Sequence, residues 1–241
     1  MVDIHNKNEG LSLKAQLQIV KEAYPKVWQY ILEAEKRGHD RAMTATLLQY
    51  DDDDEIIKED DQMKVFLNPG HSPDGRPDSG ACNYAMDLRE CDIAKTITDL
   101  VAGYLTAAGV QVVGNVQSDD LVGDVVGAAN ASGADVFISI HCNSFANPNA
   151  NGTETCVYPG SSVGVKLGGY IQRQIVEALD TTDRGIKYRD GLYVLRATDM
   201  PAVLVETAFI SNGEDVAKLR DQADEFARAI ARGVTDYVCS L

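Results

Sequence analysis

Four side chains, far apart along the chain, have the types and settings that hydrolytic metal chemistry requires. The 241-residue sequence holds only four histidines. Two of them, His71 and His141, each follow directly on a short apolar run, in VFLNPGH and DVFISIH. If both runs are strands of one parallel sheet, both imidazoles arrive at the same sheet edge. A lone histidine at a strand end is usually structural; two at equivalent places point to a shared ligand. A hydrolytic zinc site takes three protein ligands and leaves a fourth position for water. The pair therefore needs one more donor, and Glu90, opening a helix near the same edge, is the best candidate. The plainer account of Glu90 is a first-turn carboxylate that complements the helix dipole. Glu206 stands after four apolar residues in MPAVLVETAFISN. Burying an unpaired carboxylate is costly, so Glu206 needs a partner or a task. Beside a metal it can take a proton from water and pass it to a departing amine. Capping of the following helix is the other account, but Ser211 or Asn212 suits that role better.

The elements that must position these residues are read from periodicity. From Lys64 onward, apolar runs alternate with helical repeats. Strands are expected at Val65 to Leu67, Val110 to Val113, Asp135 to Ile140, Thr153 to Tyr158, Leu192 to Leu195 and Ala202 to Val205. Helices are expected over Leu88 to Ala108, Leu121 to Ala131, Val163 to Leu179, Glu214 to Leu219 and Ala223 to Val238. Such alternation implies an α/β fold with a mainly parallel sheet covered on both faces. Sites in these sheets gather beyond the carboxyl ends of the strands. Residues 1–63 have another texture. Leu11 to Arg37 has helical spacing with Pro25 inside it, where a kink is expected, and Ala42 to Tyr50 suggests a second short helix. The run DDDDE at Asp51 to Glu55, with Glu59 to Asp61 beyond, reads as an extended, solvated linker. The expected organisation is a helical appendage and acidic linker, 1–63, before a catalytic domain, 64–241.

Composition narrows the partners. The formal net charge of −15 argues against nucleic acid, whose phosphates need clustered Lys and Arg. No apolar run approaches the roughly 20 residues a membrane helix needs. The start, MVDIHNKNEG, lacks a basic segment followed by an apolar one, so no secretory signal is expected, consistent with a trimmed form or lysin-type release. The five cysteines form no C-x-x-C pair, which disfavours a thiolate metal knuckle. Reduced, buried thiols are the expectation, with a Cys82–Cys91 bridge left open. Alternation along a strand turns Cys142 away if His141 faces a metal. Nothing in the sequence sets the oligomeric state.

The segments NPGHSPDG, RECDIAK, ADVFISIHCNS, GTETCVY, DRGIKYRDGLYVLR and PAVLVETAFISN resemble, in this order, those of the zinc-dependent N-acetylmuramoyl-L-alanine amidases. The resemblance runs from about Lys64 to Val238. It implies a twisted, mostly parallel sheet of about six strands with helices on both sides. It implies a Zn2+ cofactor on His71, Glu90 and His141, with Glu206 as catalytic glutamate. It implies a peptidoglycan substrate, cut between N-acetylmuramic acid and L-alanine at the bacterial cell wall. Two departures stand out. Val110 to Asn130 lacks the arginines usual in the family, which touches packing and substrate contacts. Only Cys142 to Gly152 separates His141 from the next strand, too short for a plugging helix, so the cleft is expected to be open. Asn143 and Ser144 are candidates to line it. Arg184, Lys187 and Arg196 are candidates to meet stem-peptide carboxylates, with plain surface charge as the alternative. A non-catalytic wall-binding module and a zinc peptidase acting within the stem remain rival readings.

Overall fold

Short apolar segments lie side by side and longer amphipathic ones cover them. The computed structural model describes residues 62–117 and 122–241. The helices expected over Leu11 to Arg37 and Ala42 to Tyr50, the acidic linker to Asp61, and His5 and His39 lie outside the described residues. In chain order the elements are β1 (Lys64–Pro69), β2 (Cys82–Asn83), β3 (Leu88–Arg89), α1 (Glu90–Ala107), β4 (Gln111–Asn115), α2 (Val122–Ala131) and β5 (Val136–Asn143). They continue with β6 (Thr153–Val157), α3 (Ser162–Leu179), β7 (Asp183–Tyr188), α4 (Tyr193–Ala197), β8 (Ala202–Phe209), α5 (Gly213–Asp221) and α6 (Ala223–Val238).

Six strands form one sheet in the order β4-β1-β5-β8-β6-β7, and β2 and β3 make a small separate hairpin. Within the six-stranded sheet the pairings are parallel except β6 against β8. The α/β fold with a mostly parallel six-stranded sheet is therefore as expected. Strand alternation sorts the side chains onto two faces. On one face Val65, Leu67, Ile138, Ile140, Val203 and Val205 join Ile97 and Val101 of α1, Ile171 of α3 and Ile230 of α6. Gly233 lets α6 approach α3: a Cβ there would stand 2.5 Å from the Ile171 Cα. On the other face Phe66, Phe137, Cys156 and Leu204 pack with Val125, Val126 and Ala129 of α2 and with Val194 and Leu195 of α4.

Three local expectations are corrected. Leu192 to Leu195, expected as a strand, leads into helix α4. Four apolar residues in a row fit either a strand or one helical turn, and periodicity cannot choose between them. β7, in DRGIKYRDG, was not expected as a strand, because an edge strand that is mostly polar and half-exposed shows no apolar alternation. β8 runs on to Phe209, so Glu206 lies inside a strand rather than just past its end. Asn212 caps α5, accepting from the Glu214 and Asp215 backbone N–H groups, as anticipated for Ser211 or Asn212. All five cysteines are free thiols, Cys82 and Cys91 included.

Candidate active site

The carboxyl edge of β1 and β5 meets the first turn of α1, and there three side chains converge. The Glu90 Oε1 atom lies 2.9 Å from His71 Nε2 and 2.9 Å from His141 Nδ1. One ligand-capable atom from each residue lies within 4.8 Å of the others. The imidazole rings stand edge to face, their centroids 4.9 Å apart. Two glycines make the convergence possible. A Cβ on Gly70 would meet the His141 ring at 2.4 Å, and one on Gly80 would meet His71 at 2.5 Å and Glu90 Oε2 at 2.6 Å. Gly80 also has a φ of 65°, in the left-handed region that glycine tolerates best. His71 itself has a φ of 66°, a sparsely populated conformation that side chains keep mainly at sites where it serves a purpose.

Hydrogen bonds set how each donor is presented. The His71 Nδ1 atom is 2.8 Å from Asp78 Oδ2, and Asp78 Oδ1 accepts from the Gly80 N–H. With Nδ1–H donated to that carboxylate, Nε2 of His71 is left as the nitrogen able to ligate a metal. Glu90 accepts from the Ala81 N–H on Oε2 and the Cys142 N–H on Oε1. It is 4% exposed, and no Lys or Arg pairs with it among the described residues. Burial pushes the Glu90 carboxyl up, but His141 and His71 outweigh it and hold the group well below the usual carboxylate range. Burial pulls His71 down, yet Glu90 and then Asp78 raise it to about 9. Two imidazole nitrogens and a carboxylate oxygen, partly buried, make the donor set a hydrolytic zinc site uses. The residues present therefore fit zinc.

Glu206 sits one strand over, in register with His141. Its Oε2 atom is buried with no hydrogen-bond partner, unlike nearly all buried polar atoms in folded proteins. Burial raises its carboxyl to about 7; His141 opposes the shift, while Glu90 and Glu154 add to it. A carboxyl tuned near neutrality can both accept and return a proton.

The sequence reading missed Glu154, which pairs in register with Glu206 from β6 and is 4% exposed. A carboxylate within the buried run TETCV was the available signal, the same one that singled out Glu206. Its Oε2 accepts from Arg184 Nε at 2.7 Å. Arg184 also lies over the Phe209 ring, 4.8 Å from its centroid, so this candidate is committed inside the fold. Arg196 lies over Tyr193. Cys142 is buried, its Sγ 3.7 Å from Thr207 Oγ1, and burial raises its thiol well above the ordinary value. Asn143 is half-buried and Ser144 exposed at the end of β5. No helix interrupts residues 144–152. In the arginine-free stretch, Asn130 ties α2 to the end of α4, donating to Ala197 O and accepting from the Asp199 N–H.

Known proteins share this arrangement of sequence and fold. A family model described as N-acetylmuramoyl-L-alanine amidase matches residues 65–236. The N-acetylmuramoyl-L-alanine amidase LytC of Bacillus subtilis is 35% identical over 182 residues, a match covering 72% of this chain and 35% of LytC. The chain thus matches about a third of that relative's length. An N-acetylmuramoyl-L-alanine amidase from Clostridium difficile 630 superposes with a TM-score of 0.68 at 32% identity, covering 74% of this chain and 98% of that one. The amidase AmiC2 of Nostoc punctiforme gives a TM-score of 0.66 at 34% identity, covering 73% of this chain and 97% of that one.

Proposed function

Because this chain belongs to the N-acetylmuramoyl-L-alanine amidase family, we propose that it hydrolyses the amide joining N-acetylmuramic acid to the L-alanine of peptidoglycan stem peptides. Residues 64–241 are the catalytic domain and residues 1–63 an appendage to it. The protein acts at the bacterial cell wall. No helix among the described residues is long and apolar enough to cross a membrane.

His71, Glu90 and His141 hold a zinc ion in this reading, and Glu206 moves the proton. The convergence of two imidazoles and a carboxylate within 4.8 Å, next to a buried acid with an unpartnered oxygen, carries the proposal. Held by these three residues, zinc would supply a Lewis acid for the scissile carbonyl and would lower the pKa of a bound water toward about 7. Asp78 fixes the tautomer and orientation of His71. The backbone N–H groups of Ala81 and Cys142 hold the Glu90 carboxylate in place. Glu206 accepts the proton of the attacking water and returns it to the departing nitrogen. The loop 144–152 holds no helix that could plug the site.

Purified peptidoglycan digested with the zinc-loaded full chain should release stem peptides bearing a free L-alanine amino terminus, with the glycan strands uncut. Chelation should stop release, and added zinc should restore it. Cuts within the stem would assign a peptidase instead. Absence of products would assign a binding module.

A further inference from the structure

The order of strands across the sheet gives the site a direction. The histidines lie at the ends of β1 and β5, Glu206 on β8, Glu154 on β6, and β7 forms the edge beyond. A proton returned by Glu206 must reach the amide nitrogen. That nitrogen therefore lies on the β8 side of the three metal-ligand candidates, and the peptide bonded to it continues toward β6 and β7. The acyl and sugar part lies on the opposite side.

Along that path the sheet offers cations. Lys187 pairs in register with Cys156, and Cys156 packs in the α2 and α4 cluster. In-register neighbours share a face, and Glu154, two residues before Cys156, shares it too. The Lys187 side chain makes no hydrogen bond or ion pair among the described residues. Arg189, just past the end of β7, has its side chain 53% exposed and reaches only to 3.8 Å from Glu154 Oε1. Glu154 already has the shorter bond to Arg184, at 2.7 Å. Arg184 is thus held by Glu154 and Phe209, whereas Arg189 is half-exposed and only loosely paired with Glu154, beside the Cys156 thiol, in a chain whose net charge is −15.

We infer that Lys187 and Arg189 form a specificity subsite that binds carboxylates on the departing peptide. The inference rests on the amidase reading above and assigns the peptide side of that same site. Arg189 suits a carboxylate through its planar fork of donors, and Lys187 supplies a second, mobile charge.

The test compares two soluble substrates, an N-acetylmuramoyl peptide with its carboxylates free and the same peptide with them amidated. The zinc-loaded full chain is assayed as wild type and as the Lys187→Met/Arg189→Gln double variant. Wild type should prefer the free acid in kcat/KM by on the order of tenfold, since partly exposed charge pairs are individually weak. The double variant should bring this ratio close to one, with the loss falling on KM for the free acid. A wild type indifferent to amidation overturns the inference, as does a variant that keeps the preference or loses both substrates in equal proportion. Failure of wild type on both substrates would remove the amidase reading itself, and this subsite with it.

Discussion

Two buried polar regions of the sheet differ in how completely they are paired. On the α3 side, Gln172 is buried and saturated: it accepts from Thr155 Oγ1 and donates to Thr153 O and Asp183 Oδ1. Around it stand fully buried aliphatic side chains such as Leu167, Ile171 and Ile175. At the carboxyl edge of β5 and β8, Glu206 is buried with one oxygen unpartnered, His71 has a positive φ, and Glu90 is wedged between two imidazoles. A saturated buried amide stabilises by fixing helix to sheet. An unsaturated buried acid costs stability and keeps a hydrogen-bonding valence for whatever enters. The difference separates the part of the molecule that maintains the fold from the part proposed to do chemistry.

The comparison breaks most visibly if Glu206 proves dispensable. Glu206→Gln should lower kcat by about a hundred- to ten-thousand-fold, the range for loss of a positioned acid–base group. Zinc content, measured by elemental analysis, should stay at the wild-type level, and thermal stability should hold or rise because the orphaned carboxylate is gone. A variant retaining most of its turnover would remove this residue from the mechanism.

The opposite pattern is expected on the saturated side. Ile171→Ala should cost about 2–5 kcal/mol of unfolding free energy, as large-to-small changes at closed core positions do. Turnover per folded, zinc-loaded molecule should barely change. Denaturant unfolding alongside steady-state kinetics measures both, and a large kcat loss without destabilisation would show the two regions to be coupled.

A smaller effect sharpens the boundary of the site. Asp78→Asn removes the carboxylate behind His71 Nδ1 but no ligand atom. It should weaken zinc affinity about ten- to a hundredfold, as loss of such a supporting partner typically does. Chelator competition reads this directly. Unchanged affinity would mean that the backbone around His71 orients the ring without help.

Much of the fold was legible because the apolar runs are unambiguous. VFL, VFISI and AVLV each lie in a buried strand, and the long repeats became α1, α3 and α6. Where the pattern was thin, reading failed. YVLR became a helical turn because α4 only has to cover Cys156 and Leu204. DRGIKY became an edge strand because its backbone pairs with β6, not because its side chains are apolar. Glu154 carried the same signal as Glu206, a carboxylate in a buried run, but its place opposite Glu206 follows only from the antiparallel pairing of its strand with β8. Among the candidate cations, only side-chain contacts separate Arg184, committed to Glu154, from Lys187, which has no such partner.

The order of residues along the chain determined which groups are available: two imidazoles at strand ends, an acid opening a helix, and another acid in an apolar run. The alternation of strand-like with helical runs pointed to a mainly parallel sheet, because strands joined by covering helices return in the same direction. Tertiary structure alone decided that Glu90 bridges both rings, that one oxygen of Glu206 is left without a partner, and that Lys187 shares a sheet face with Glu154 and Glu206. The reason is physical. Strand and helix propensity act over a few residues. Distances between groups 50 or more positions apart depend on strand order, register and the close approaches that Gly70 and Gly80 permit.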